Sequence, residues 1–304
     1  MNCNVVGVGE VLWDLLLTGP QLGGCPANFA YHAHALGAQA KVITRVGNDD
    51  YGREVIRRFR EMGLADDTVQ IDEAVPTGTA KVELSGDGLA HFTIQENVAW
   101  DCIAATPEAT VAARAADAIC FGSLAQRCEP SRDTILTLVA MARVDVLRVF
   151  DINLRQRFYS RGVIEESLRL ANVLKVNDDE LPTLASMFSL TGSTKHHIES
   201  LARQFSLNLV ALTRGANGSL LYQKNGNGNE ARWSDCPSRP VMVVDTVGAG
   251  DSFTAALVLG LLRKMDLDEI NDISNEVARY VCSQAGATPV LPVEFAKRFS
   301  VAAQ

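Results

Sequence analysis

No apolar run in this sequence approaches the ~20 residues that a membrane-spanning helix requires, which excludes a helical membrane protein. Basic charge is in short supply. The 28 Lys and Arg stand against 36 Asp and Glu, a formal net charge of -8. Nucleic acid is therefore not expected as a main partner, although a local basic pocket can still hold a nucleotide. The seven cysteines are scattered, odd in number, and form no CxxC pair. Reduced thiols fit that pattern better than a disulfide framework or a zinc site. The start of the chain lacks a basic-then-apolar signal pattern, so the expected location is cytoplasmic. Two phosphate-binding signatures are missing as well. Gly7 and Gly9 open like a dinucleotide fingerprint, but Leu12 stands where its third glycine belongs, and no GxxxxGK[ST] loop occurs. What remains is an ordinary globular composition, 47% hydrophobic and 21% charged, in 304 residues. That length suits one large α/β domain or two small ones.

The chain is organised around Asp245-Thr246-Val247-Gly248-Ala249-Gly250-Asp251-Ser252-Phe253. The apolar run Val241–Val244 before it reads as a short buried strand. Phe253, Leu257 and Leu261 behind it recur every four residues and read as a helix. Between them, Gly248, Ala249 and Gly250 let backbone amides approach a ligand at a helix N-terminus, whose positive end favours phosphate. An acid beside such a cradle repels the anion. Asp251 makes sense there if it takes a proton from an attacking hydroxyl while the amides hold the phosphoryl group. A glycine-eased turn with Asp251 in the first helical turn is the competing reading, and the residues alone leave both open.

Upstream, Val5, Val6, Val8 and Val11 give a first strand, and on an extended chain Glu10, Leu12 and Asp14 share one face. Two carboxylates there could meet a polar ligand or simply end a solvated strand. Leu22-Gly23-Gly24-Cys25-Pro26-Ala27-Asn28 reads as a tight loop opening a helix, with Asn28 a candidate cap. Gly47-Asn48-Asp49-Asp50-Tyr51-Gly52 lies between strand Lys41–Val46 and helix Arg53–Met62 and reads as a structural turn. From Thr77 to Glu96 the alternation becomes that of a hairpin around Gly86-Asp87-Gly88, an excursion from the main sheet. Glu96–Asp101 then carries polar groups that could reach a ligand.

From Asp117 onward strands and helices alternate: strand Ala118–Phe121, helix Arg132–Arg143, strands Val146–Asp151, Val173–Val176 and Leu209–Leu212, and late helix Ile270–Gln284. A mostly parallel sheet flanked by helices follows, with ligands at the strands' carboxyl ends. Polar groups fall there: Asp151, Asn153 and Arg155; then Asn177 and Glu180; then Thr213, Arg214, Gly215 and Gly218. Each has a plain alternative, such as Asn177 capping the next helix. Lys224–Glu230 reads as a hairpin end at the surface.

Across about Val5 to Pro292 this ordered set of motifs resembles the ribokinase-like (PfkB-type) carbohydrate kinases. Gly9–Asp14 and Glu96–Asp101 look closest to bacterial fructokinases. The resemblance implies an α/β fold with a mostly parallel central sheet flanked by helices. It implies a single domain over 1–304, with small β-lid strands near 11–18 and 77–97. It also implies an ATP-dependent kinase acting on a primary hydroxyl of a small sugar, with fructose favoured. Dehydro-deoxygluconate kinase and ribokinase are alternatives, followed by a nucleoside kinase and a non-catalytic sugar- or nucleotide-binding protein.

By the same resemblance, Asp251 is the base and Gly248, Ala249 and Gly250 form the anion hole. Asp14, Gly23, Gly24, Asn28, Asn153 and Arg155 hold the sugar. Asn177, Thr213, Arg214, Gly215, Gly218 and Gly286 face ATP. Glu180 acts on magnesium through water, and Asp245 is a candidate for a monovalent cation, potassium. The expected partners are sugar and ATP, without nucleic acid or membrane, and a homodimer is a candidate assembly. One departure is Phe158-Tyr159, where many relatives place Leu-Trp, which leaves one wall of the sugar pocket open to question.

Overall fold

Short buried apolar runs alternating with amphipathic helices dictate a layered α/β architecture, and a computed structural model shows its form. It describes residues 3–16, 19–84, 90–224 and 231–300. The strands among them are, in chain order, β1 (Asn4–Val8), β2 (Leu12–Leu16), β3 (Gly19–Gly23), β4 (Gln39–Gly47), β5 (Val69–Asp72), β6 (Gly78–Leu84), β7 (Ala90–Ile94), β8 (Ala118–Phe121), β9 (Leu147–Asp151), β10 (Val173–Asn177), β11 (Leu209–Thr213), β12 (Ser219–Gln223) and β13 (Arg232–Cys236). The helices are α1 (Cys25–Ala35), α2 (Asp50–Glu61), α3 (Pro107–Ala115), α4 (Glu129–Ala140), α5 (Arg161–Leu170), α6 (Glu180–Met187), α7 (Thr194–Gln204), α8 (Ala249–Leu262), α9 (Leu267–Cys282) and α10 (Val293–Ser300).

The main sheet has nine strands in the order β13-β12-β11-β10-β9-β8-β1-β4-β5. All neighbours from β11 to β5 run parallel, and β12 and β13 add an antiparallel edge. Successive residues of each parallel strand feed opposite cores. Val5, Val42, Ala118, Val149 and Leu209 pack with α1, α2, α8, α9 and α10. Val6, Ile43, Ile119, Phe150 and Val210 pack with α3 to α7. Each fully buried large apolar side chain contributes roughly 1.5–3 kcal/mol, so this two-sided burial explains why these strands read as unbroken apolar runs. The chain leaves β1 toward β4 and β5 and later returns to its other side at β8. That reversal opens a crevice at the carboxyl ends of the strands.

A second sheet has the order β3-β2-β6-β7, with β2 and β6 parallel and the outer pairs antiparallel. Among the described residues β2, β6 and β7 fall within the stretches 11–18 and 77–97 where lid strands are expected, and β3 joins them where only a glycine loop was expected. The Asp87-Gly88 turn and the 225–230 hairpin end lie outside the described residues. Asp49 anchors the root of this sheet. Its carboxylate caps α2 through the Gly52 amide at 2.7 Å and accepts from the Thr77 amide at 2.8 Å and its hydroxyl at 2.7 Å. Three such bonds hold its pKa down in spite of partial burial, and a lost helix cap alone costs about 1 kcal/mol.

Two sequence expectations change. The single first strand divides after Val8, so Glu10 lies in the connection and Asp14 on the second sheet. Val241–Val244 is neither a strand nor buried. Val243 and Val244 are 58% and 59% exposed and Met242 is 84% exposed. Its tie to the fold is the Val244 amide donating to the Cys282 carbonyl at 2.9 Å, because no strand among the described residues runs beside it.

Candidate active site

The carboxyl ends of β1, β9, β10 and β11, the second sheet, and the start of α8 surround one cavity of about 1320 Å³. Its lining includes Glu10, Asp14, Gly23, Gly24, Asn28, Asn153, Arg155 and Asp251, with Leu12, Ala80, Ile94 and Leu124 supplying apolar wall. All six sugar-site residues expected from the sequence are brought together here. Gly24 has φ +115, and a Cβ there would come within 2.4 Å of the Glu10 carbonyl oxygen, so only glycine lets the loop pass.

Asp251 stands in the first turn of α8 at the cavity wall. The Asn28 amide nitrogen donates to its Oδ2 at 2.8 Å. Asn28 is therefore not the helix cap expected from its type; the cap position is Gly24, and Asn28 sits one turn inside α1. Burial raises the Asp251 pKa, the Asp151 charge adds to this, and hydrogen bonds from Cys25 and Asn28 with the Lys175 charge oppose it. The first turn of α8 is opened by Gly248 at φ +78, where a Cβ would stand 2.3 Å from the Ala287 carbonyl oxygen. The amides of Gly250 and Asp251 have no backbone acceptor among the described residues, as expected of a helix start, and both residues line the cavity.

Beneath Asp251 lies a charge cluster. Lys175, buried on β10, places its Nζ 3.1 Å from Asp151 Oδ1, and Thr254 Oγ1 lies 3.0 Å from Asp151 Oδ2. Burial alone would depress the Lys175 ammonium, but the charges of Asp151, Glu180 and Asp251 together raise it. Sequence reasoning passed over Lys175. Its signal was a lone lysine inside an otherwise apolar parallel strand.

Asn177, Thr213, Gly215 and Gly218 line the same cavity, with Val241, Val243, Val247, Ala278 and Cys282. Four expected residues do not reach it. Arg214 turns to Asp235 at 2.6 Å and to the Ser219 carbonyl at 3.0 Å. Gly286 and Asp245 bond each other, the Gly286 amide donating to Asp245 Oδ2 at 3.1 Å, and Asp245 Oδ1 accepts from the Val247 amide. Glu180 lies buried below the floor, where its two oxygens accept the Leu154 and Asn177 amides at 3.0 Å each and so clamp two strand-end loops together. Burial raises its pKa and Lys175 opposes the rise. Asn177 Oδ1 accepts the Asp179 and Glu180 amides at 3.0 and 2.8 Å ahead of α6, whose cap position is Asp179, and Asn177 also lines the cavity.

The polar groups of 96–101 do not reach the cavity either. Glu96 pairs with Arg157 at 2.6 Å, and buried Asp101 takes two bonds from Arg127, whose guanidinium also covers the Trp100 ring at 3.8 Å. Phe158 and Tyr159 pack against a core cluster, so they do not form the sugar-pocket wall.

A family model described as pfkB family carbohydrate kinase matches residues 19–294. A fructokinase of Solanum tuberosum is 30% identical over 313 residues, covering 95% of this chain and 93% of its own length. A fructokinase of Klebsiella pneumoniae is 30% identical over 272 residues, covering 86% and 85%. An uncharacterized sugar kinase from Pyrococcus horikoshii, solved in complex with ATP, is 28% identical with a TM-score of 0.78 over 93% of this chain and 94% of that one. The chain belongs to the pfkB family of carbohydrate kinases.

Proposed function

We propose that this sugar kinase transfers the terminal phosphoryl group of ATP to a primary hydroxyl of fructose. The observation that carries the reading is the placement of Asp251. It meets the acceptor end of the cavity through a carboxylate bonded to Asn28, while the free amides of its own helix turn point to the same space. A hydroxyl set against Asp251 gives its proton to the carboxylate as its oxygen bonds to phosphorus and ADP leaves. The charge on the phosphoryl oxygens is met by the Gly250 and Asp251 amides.

The remaining cavity suits the nucleotide. Val241, Val243, Val247, Ala278 and Cys282 form an apolar slot fit for a planar base, which accounts for apolar side chains left without a strand to bury them. Asn177, Asp178 and Asp179 offer hard oxygen ligands where phosphates would lie, a donor set that fits magnesium. Magnesium bound there would neutralise phosphate charge, and Glu180 would act on it only by fixing the loops that carry these ligands. Potassium at Asp245 is part of the proposal, by way of the loop that Asp245 ties to Gly286.

An ADP-release assay over fructose, ribose, 2-dehydro-3-deoxygluconate and adenosine tests the assignment. Fructose is expected to give the highest kcat/KM and adenosine a rate near background. Arg155 makes no ion pair among the described residues, so 2-dehydro-3-deoxygluconate, whose carboxylate it could hold, is the second reading. If that compound wins the panel, only the sugar changes; if adenosine wins, the sugar-kinase reading falls.

A further inference from the structure

Glu10 is 1% exposed yet forms part of the acceptor wall, between β1 and the second sheet. Its Oε2 has no hydrogen-bond partner, and the nearby backbone amides of Glu10 and Cys25 act on the carboxyl only by opposing the rise in its pKa. Leaving a carboxyl oxygen buried and unpaired is costly, so a ligand group that bonds it recovers what the empty cavity lacks. We infer that Glu10 bonds a hydroxyl of the acceptor and sets the preference of the site for uncharged polyhydroxy sugars over sugar acids. The inference rests on the sugar-kinase reading and goes past it, since it concerns which acceptors are refused.

The surroundings of Glu10 decide the chemistry of its partner. Burial lifts its pKa from the ordinary 4.5 to about 7, Asp251 pushes in the same direction, and Arg155 and the two backbone amides oppose. Near neutral pH the group is divided between acid and carboxylate. A hydroxyl satisfies both forms, accepting from the acid or donating to the carboxylate. An anion satisfies only the first. Asp14, whose own pKa burial raises to about 6, and Asp251 add acidic groups to the same wall. Of the nearby cations, Lys175 is already committed to Asp151, leaving Arg155 alone to favour an anionic acceptor. A carboxylated sugar would have to be seated against three acidic groups.

The test pairs the best neutral sugar of the panel with the acid made by oxidising its terminal carbon, for fructose the 2-keto acid of equal length. The wild-type chain is expected to prefer the neutral sugar by at least about 100-fold in kcat/KM, as sites with unpaired buried groups do. Glu10→Gln keeps the size of the side chain and one oxygen, and puts a permanent donor beside the acceptor. It should narrow the preference for the neutral sugar by roughly 10-fold or more. Glu10→Ala should raise that KM about 10- to 100-fold, with kcat and the KM for ATP changed far less, because the lost bond is present before and during transfer. An unchanged preference in a folded, active Glu10→Gln variant overturns the inference and leaves the sugar-kinase reading intact. Absence of turnover with any sugar by the wild-type chain overturns both.

Discussion

The Asn28 side chain donates to Asp251 at 2.8 Å across a separation of 223 residues, joining the first helix to the helix that carries the proposed base. A bond of this kind favours the ionised carboxylate. The pKa of Asp251 is already raised by burial, and a base works only when ionised, so activity falls as the pH drops through that value. Asn28→Ala removes an opposing hydrogen bond and raises the pKa further. The acid limb of the kcat profile should move to higher pH, by about one unit for a bond worth roughly 1.5 kcal/mol. A limb that stays in place would show that Asn28 does not tune the base.

Glu10 gives a pH dependence of stability with a definite sign. Its folded pKa of about 7 exceeds the ordinary 4.5, so between those values the folded chain keeps a proton that the unfolded chain has released. Stability from this group therefore falls as pH rises through that window, by roughly 3 kcal/mol in all. Glu10→Gln should melt above the wild type at pH 8, with the advantage closing toward pH 4. A difference that is constant with pH contradicts the assignment.

Much of this architecture was legible because buried parallel strands announce themselves. Ala118–Phe121 was read to the residue, and Val173 and Leu209 were found as strand starts. The six residues expected to hold the sugar all line one cavity, Asn153 and Arg155 because they follow β9 and Asp14 and Gly23 because they lie on the second sheet. Tertiary placement decided the rest. Val241–Val244 has strand composition but no strand beside it. Asn28 has a cap's chemistry, yet Gly24 holds the cap position and frees its amide for Asp251. Arg214 carries a charge suited to phosphate, but Asp235 on β13 claims it, and no local spacing reveals that pair.

Lys175 and Asp151 form a buried pair at 3.1 Å, in which each charge depends on the other. Lys175→Met leaves Asp151 uncompensated and should destabilise the fold by about 3–5 kcal/mol. Adding Asp151→Asn should recover part of that loss, as denaturant midpoints of the single and double variants would report. If Asp151→Asn cost the same in the wild-type background as beside Lys175→Met, the pair would carry no coupling.

Gly248 allows the turn that aims the first amides of α8 into the cavity. A Cβ would collide with the Ala287 carbonyl and require an unfavourable φ of +78. Gly248→Ala should lower kcat by about 10²–10³, the usual effect of losing one such donor, while leaving sugar affinity largely intact. A fall in sugar affinity with normal kcat would place the turn in binding instead.

Asp251 is the proposed acceptor of the attacking hydroxyl's proton. Asp251→Asn keeps the size of the side chain and its place in the first turn of α8 but cannot take that proton. Single-turnover transfer from ATP to sugar should slow by about 10²–10⁴-fold, with ATP binding retained because a negative charge near the phosphates is gone. Transfer at close to the wild-type rate in this variant would contradict the account.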